Sequence, residues 1–210
     1  MKKIVIIGPE STGKSSLCEQ LAQHFKTLWC PEFAREYLQT NGPGYTYDDL
    51  LSIAEGQLAL EDKYTQIVTG SELDTHSSSL LFIDTDMFVM KVWSEFAFGK
   101  CHRYILDQIA ERKYDLYLLC KVDLPWVKDE LREYPDPETR HQLHLIYKDI
   151  IDALFRVQDI PSTHLLSRVN PPCTINRDHI FFQRSGQEYN GDIYQMQIHT
   201  TLSLQTYRCQ

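Results

Sequence analysis

The chain has 210 residues, of which 42% are hydrophobic and 24% charged, the balance expected of one soluble globular domain with a full core. That length leaves no room for a second catalytic domain of ordinary size, and the apolar runs are too short to span a bilayer. A net charge of −8 and a pI near 5.4, with no lysine–arginine cluster, exclude a nucleic-acid footprint and favour a small-molecule substrate.

Lys3-Ile-Val-Ile-Ile7 is a short β-branched run suited to a buried parallel strand. It leads directly into Gly8-Pro-Glu-Ser-Thr-Gly13-Lys14-Ser15, which fits the phosphate-binding pattern G-x-x-x-x-G-K-[ST] at every position. Ser16 to Phe25 then shows apolar residues at helical spacing, so strand, loop and helix stand in the order the pattern requires. Gly8 and Gly13 permit backbone conformations that a Cβ opposes, letting successive N–H groups turn inward as an anion nest. The following helix adds the positive end of its dipole, Lys14 reaches the outer phosphates, and the Ser15 hydroxyl ligates Mg²⁺. The expected nucleotide-binding set is Gly8, Pro9, Glu10, Ser11, Thr12, Gly13, Lys14, Ser15 and Ser16, with ATP and Mg²⁺ as cofactors.

A second strand is expected around Leu28-Trp-Cys-Pro-Glu32, ending at Pro31, then a short helix Phe33-Ala-Arg-Glu-Tyr-Leu38 that Asn41-Gly-Pro-Gly44 breaks. From Tyr47 to about Val68, Leu50, Leu51, Ile53, Ala54, Leu58 and Leu60 suit a long amphipathic helix, and Thr69 to Ser79 reads as a polar loop. Leu80-Leu-Phe-Ile-Asp84 is a compact strand with a carboxylate at its end, and Asp86 opens a helix through Trp93. A helix from Tyr104 to Arg112 leads to the strand Leu116-Tyr-Leu-Leu-Cys120, followed by Asp123-Leu-Pro-Trp-Val127. Lys128 to Pro137 is charged and interrupted by Pro135 and Pro137; Thr139 to Phe155 regains helical spacing. This alternation predicts an α/β fold of the P-loop NTPase type, a mostly parallel sheet flanked by helices in three α/β/α layers. Ligands then gather at the carboxyl ends of the strands, where the phosphate loop, Glu32, Asp84 and Asp123 all fall.

The character of the chain changes near residue 160: no lysine follows Lys148, charges thin out and helical periodicity fades. Residues 1–160 are therefore expected to form the P-loop kinase domain, and 161–210 a divergent segment with Thr163-His-Leu-Leu-Ser167 as its candidate last strand. Ile180-Phe-Phe182 is apolar there, and Gln195 to Leu204 partly alternates. The six cysteines, Cys18, Cys30, Cys101, Cys120, Cys173 and Cys209, form no C-x-x-C pair, so reduced thiols are expected rather than zinc or disulfides. His141 and His144 share a helix face but have no third ligand beside them, and are expected to be solvated. The chain opens straight into a strand and the phosphate loop, so loss of a leader would remove the nucleotide site; a cytoplasmic location is expected.

Phosphoryl transfer needs a metal-holding carboxylate, a base and charge stabilisers. Asp84, at the end of a hydrophobic strand, suits Mg²⁺ together with Ser15; Glu32 and Asp84 stand level as candidate bases. Asp86 either caps its helix or binds substrate, and Arg35 either pairs with Glu36 or binds substrate. Arg132 and Arg140 flank the proline-interrupted segment where small-molecule kinases place a mobile lid; the alternative is a salt-bridged surface loop. Of the aromatic residues able to stack on a planar substrate, Trp93 reads as core and Trp126 as site.

Gly8-Pro-Glu-Ser-Thr-Gly-Lys-Ser15, Pro31-Glu-Phe-Ala-Arg-Glu-Tyr37, Ile83-Asp-Thr-Asp86, Trp93-Ser-Glu-Phe-Ala-Phe-Gly99, Tyr114-Asp-Leu-Tyr-Leu-Leu119 and Asp123-Leu-Pro-Trp-Val127 stand in this order. In this the chain resembles the ribosylnicotinamide kinase domain of the bifunctional bacterial regulators of NAD biosynthesis, which when it stands alone is classed among AAA-family ATPases. The resemblance implies ATP-dependent phosphorylation of the ribose 5′-hydroxyl of nicotinamide riboside. The expected catalytic residues are Lys14, Glu32, Asp84, Arg132 and Arg140, and the expected substrate-binding ones Glu32, Arg35, Tyr37, Asp86 and Trp126. The face of Trp126 or Tyr37 would meet the flat cationic pyridinium ring. Pro161 to Gln210 lacks the strand, glycine turn and helix that usually end that domain, and no H-x-G-H adenylyltransferase motif occurs, so a single activity is expected. Two other readings fit the same residues: a P-loop kinase for another nucleoside or nucleotide, and an ATP-binding regulator or ATPase without kinase activity.

Overall fold

The computed structural model describes residues 1–70, 80–156, 180–184 and 194–198. In chain order these form β1 (Lys2–Ile7), α1 (Lys14–His24), β2 (Leu28–Cys30), α2 (Phe33–Asn41), α3 (Tyr47–Gly70), β3 (Leu80–Asp84), α4 (Met87–Phe98), α5 (Arg103–Glu111), β4 (Leu116–Cys120), α6 (Pro137–Arg156), β5 (Ile180–Arg184) and β6 (Tyr194–Ile198). The sheet order is β2-β3-β1-β4-β6-β5, and every pairing is parallel except that of β5 with β6. This is the expected three-layer α/β/α arrangement, with β1 at its middle.

Alternation along β1 divides the core. Val5 and Ile7 face a cluster with Ile83, Leu119, Val89 and Val92, completed by Leu143, Tyr147 and Ile151 of α6. Ile6 faces the opposite way, onto Phe82, Leu118 and the α1 residues Leu17, Cys18, Leu21 and Ala22. Both faces of β1 are thus covered, which is why its sequence is a continuous apolar run rather than an alternating one. A third cluster joins α2, α3, α4 and α5 through Ala34, Leu50, Ile53, Met87, Met90 and Ile105. Beneath the sheet, Glu61 of α3 is fully buried and satisfied by Lys3 Nζ at 2.7 Å, Arg112 Nη1 at 3.3 Å and the Tyr114 hydroxyl at 2.8 Å. That end of the molecule is closed by ion pairs, and the carboxyl end is left open for ligand.

Several expectations need correction. Helix α6 starts at Pro137 rather than Thr139. A proline suits the first helical turn, and the Asp136 carboxylate accepts from the Thr139 amide at 2.7 Å. Helix α3 runs on through Thr69 and Gly70, which had read as loop. His144 is buried, not solvated, with its Nδ1 3.2 Å from the Cys120 carbonyl. Within 161–210 the structure gives two sheet strands, β5 and β6, while Thr163 to Ser167 lies outside the described residues. Cys18, Cys30, Cys101 and Cys120 are free thiols, and no described helix is long and apolar enough to cross a membrane.

Candidate active site

The phosphate loop leaves the carboxyl end of β1 between β3 and β4. Gly8 has φ +141, and a Cβ there would meet the Cys120 carbonyl oxygen at 3.0 Å, so conformation and space both require glycine. Gly13 has φ +79 and caps α1 without any side-chain hydrogen bond, leaving the first helical N–H groups to an anion. The loop closes on one carbonyl: Thr12 Oγ1 donates to the Pro9 oxygen at 2.8 Å, and Lys14 Nζ donates to it at 2.9 Å.

Beside this loop sit two carboxylates whose charge is opposed by their surroundings. Asp84, paired in register with Ile6, is 1% exposed, and its Oδ1 has no hydrogen-bond partner. Burial raises its pKa, against the Lys14 ammonium, a hydrogen bond from Ser15 and the Arg35 guanidinium. Glu32 stands at the start of α2, and burial together with the neighbouring Asp84 charge pushes its pKa up, with Lys14 and Arg35 opposing. Sequence reasoning missed Thr85, a β-branched residue at φ +92 whose hydroxyl lies 3.5 Å from Glu32 Oε1. A side chain held in that region costs about 1–3 kcal/mol, a strain typical of functional sites. Among the described residues no group of three or more His, Cys, Asp or Glu is placed to hold a metal. The orphaned Oδ1 of Asp84 beside Ser15 nevertheless offers the oxygen donors that a hard cation such as Mg²⁺ would take.

A cavity of about 270 Å³ opens over these groups. Its phosphate side is residues 8 to 16 with Glu32 and Arg35; its other side is Tyr45, Trp93, Phe96, Leu131, Glu133 and Tyr134, and Arg132 also lines it. Tyr45 and Trp93 meet edge to face at 4.9 Å, and Trp93 Nε1 donates to the Tyr45 hydroxyl at 2.8 Å. That hydroxyl in turn donates to Glu133 Oε2 at 2.9 Å. Phe96 and Tyr134 meet edge to face at 5.2 Å.

The structure brings Lys14, Ser15, Glu32, Arg35 and Arg132 to this cavity and puts other expected site residues elsewhere. Asp84 lies behind the lining rather than in it. Asp86 is buried as the cap of α4, accepting from the Phe88 and Val89 amides and the Tyr117 hydroxyl; burial pushes its carboxyl up to about 7 despite those bonds. Tyr37 donates to Asp49 at 2.6 Å and does not line the cavity. Trp126 also lies outside it, and Trp93, which had read as core, lines it. Trp126 had read as a site residue, but its indole N–H is taken by Glu10 at 3.0 Å. Arg140 is 3% exposed and turned toward the main chain, Nη2 donating to the Ser11 and Leu124 carbonyls at 3.2 and 3.3 Å. Arg35 pairs with Asp129, not Glu36, at 3.3 Å.

The family model of the AAA domain matches residues 3–168, nearly the whole described region and all of the cavity. The chain belongs to the AAA domain family. Its curated relatives include the trifunctional NAD biosynthesis/regulator protein NadR of Escherichia coli (strain K12), 26% identical over 156 residues, 72% of this chain and 36% of that protein. The NadR of Salmonella typhimurium (strain LT2) is 29% identical over 136 residues, 63% of this chain and 31% of that protein. This AAA domain thus spans about a third of the length of those relatives. Among solved structures, NadR in complex with NR superposes with a TM-score of 0.58 at 22% identity, covering 73% of this chain and 41% of that one. NadR in complex with NAD and AMP-PNP gives 0.57 at 21%, covering 74% and 42%. At that identity the superpositions establish the fold alone, and the resemblance carried by the six motif blocks is borne out by the relatives. The chain is a kinase-like P-loop nucleotide-binding domain.

Proposed function

We propose that this domain transfers the γ-phosphoryl group of ATP to the ribose 5′-hydroxyl of nicotinamide riboside, giving nicotinamide mononucleotide and ADP. The observation that carries the reading is that one cavity joins the phosphate loop to a recess with aromatic walls and an acidic edge, Tyr45, Trp93 and Tyr134 with Glu133. A flat cationic ring is drawn to aromatic faces by about 0.5–2 kcal/mol, and a carboxylate at the rim adds to that attraction. A neutral base gains no such preference.

The residues then divide the work. The backbone N–H groups of the loop beyond Pro9 and the Lys14 ammonium would hold the triphosphate; Ser15 and Asp84 would hold Mg²⁺, which would supply neutralisation of charge on the phosphates. Glu32 lines the cavity whereas Asp84 stands behind it, which supports Glu32 as the base and Asp84 as the metal carboxylate. The raised pKa of Glu32 suits a group that must take a proton. In the transfer Glu32 accepts the 5′-hydroxyl proton, the ribose oxygen bonds to the γ-phosphorus, and the bond to the bridging oxygen breaks to release ADP. Arg132, which lines the cavity, would offset charge on the moving group.

A panel of nucleosides, each supplied with ATP and Mg²⁺, tests the reading by ADP formation. Nicotinamide riboside should be turned over at least tenfold more efficiently, in kcat/KM, than thymidine, cytidine or adenosine. A neutral nucleoside turned over faster than nicotinamide riboside would contradict it.

A further inference from the structure

Glu10 is an electrostatic anomaly: a carboxylate in a loop whose work is to hold a polyanion opposes its own ligand unless its charge is directed elsewhere. Its hydrogen bonds all run to the segment between β4 and α6. Oε1 accepts from Trp126 Nε1 at 3.0 Å and from the Tyr134 amide at 2.7 Å, and Oε2 accepts from the Glu133 amide at 3.0 Å. The next residue repeats the pattern. Ser11 Oγ accepts from the Val127 amide at 3.1 Å, and the Ser11 carbonyl accepts from buried Arg140, which also grips the Leu124 carbonyl. Three backbone amides of one surface segment, which water would otherwise satisfy, thus end on side chains of the phosphate loop.

The same segment is held by two further contacts, the ion pair of Arg35 with Asp129 and the bond from the Tyr45 hydroxyl to Glu133. Within it, Arg132 Nη1 donates to the Val127 carbonyl at 2.6 Å, and residues 130 to 134 line the cavity. We propose that Glu10 is a positioning residue: its carboxylate ties the 124–134 segment over the phosphate site and so holds Arg132 and Glu133 in the cavity wall. The order of that segment is then set when the protein folds rather than at each binding event, and water is kept from the transferring group. The catalytic consequence rests on the kinase reading above; the tie itself does not.

The test is hydrogen exchange of the full-length chain without nucleotide, resolved at residues 127, 133 and 134, for wild type, Glu10→Ala and Glu10→Gln, with nicotinamide riboside kinetics alongside. Glu10→Ala should speed exchange at 133 and 134 by about tenfold or more, the worth of losing charge-assisted bonds, while amides of β1 and β3 stay protected and report a folded chain. The Gln variant keeps one acceptor oxygen and should fall between. The kcat should drop at least tenfold in Glu10→Ala and recover in part in Glu10→Gln, with KM for ATP changed less than threefold. Exchange at 133 and 134 independent of residue 10 overturns the tie whatever the activity; faster exchange with unchanged kcat overturns the positioning role. A wild-type chain inactive on every nucleoside, yet showing Glu10-dependent protection, sinks the kinase reading and leaves the tie standing.

Discussion

The phosphate side of the cavity is built from nine consecutive residues, Gly8 to Ser16, and works largely through main-chain groups at backbone angles that glycine permits. The side proposed for the acceptor draws single side chains from the 43–45 turn, α4 and the 130–134 segment, and offers aromatic side chains and the carboxylates Glu130 and Glu133. The first is a local device fixed by neighbouring residues; the second exists only once distant elements have packed. The difference predicts how each side fails: damage to the phosphate side should abolish chemistry, and damage to the acceptor side should change which molecule is used.

Lys14→Ala should show the largest effect, lowering kcat by about a thousandfold, because one preorganised charge on the transferring group is worth that order. A variant retaining a tenth of wild-type kcat would mean that the loop is not where the phosphates sit. Glu32→Gln should lower kcat by about a hundredfold or more with ATP affinity nearly unchanged, the signature of a lost base, and calorimetry with AMP-PNP measures that affinity. Asp84→Asn should instead raise the Mg²⁺ concentration needed for half-maximal rate, separating the two carboxylates that the sequence left level.

On the acceptor side, Trp93→Ala should raise KM for nicotinamide riboside by about tenfold with a smaller change in kcat, in line with the loss of one cation–π face. Tyr37→Phe, which alters a residue outside the cavity, should leave that KM within twofold. Equal effects from the two would dissolve the distinction between site and scaffold aromatics.

The smallest effect concerns stability. Asp86 ordinarily titrates at 3.8 and is pushed to about 7 by burial, so between those values the folded chain holds a proton that the unfolded chain has lost. Stability from this group is complete below pH 3.8 and declines as pH rises through about 7, at a slope approaching 1.4 kcal/mol per pH unit where one proton separates the states. Glu32 and Asp84, also raised, act in the same direction. Asp86→Asn keeps a capping oxygen and should flatten the dependence by one proton's worth, read as urea midpoints from pH 4 to 8. A midpoint that climbs with pH over this range would contradict the assignment.

The same contrast explains what could be read from the sequence. The phosphate loop, the strand-end carboxylates Glu32 and Asp84, and the parallel sheet were legible because each is written in a short contiguous pattern whose physics is local. Trp93 and Trp126 could not be told apart that way: helical spacing gives a face, not what that face meets, and the bond that removes Trp126 from the cavity comes from Glu10, 116 positions away. Arg140 misled for a related reason. Its place beside a charged loop suggested a mobile lid, but its guanidinium donates to the Ser11 carbonyl, a contact across 129 positions that no local pattern shows. Thr85 offered one signal that could have been used, its place between Asp84 and Asp86 in a strand-to-helix turn, where a carboxyl-end site is expected.

The central claim is that one cavity carries a phosphoryl group from the triphosphate to an acceptor hydroxyl. It is tested most directly by following γ-¹⁸O-labelled ATP with the purified chain, Mg²⁺ and nicotinamide riboside, and reading the label by mass spectrometry. The account predicts that the label appears in nicotinamide mononucleotide, with inorganic phosphate only a minor product. Label found wholly in inorganic phosphate, at a rate indifferent to the riboside, would make this an ATPase and contradict it.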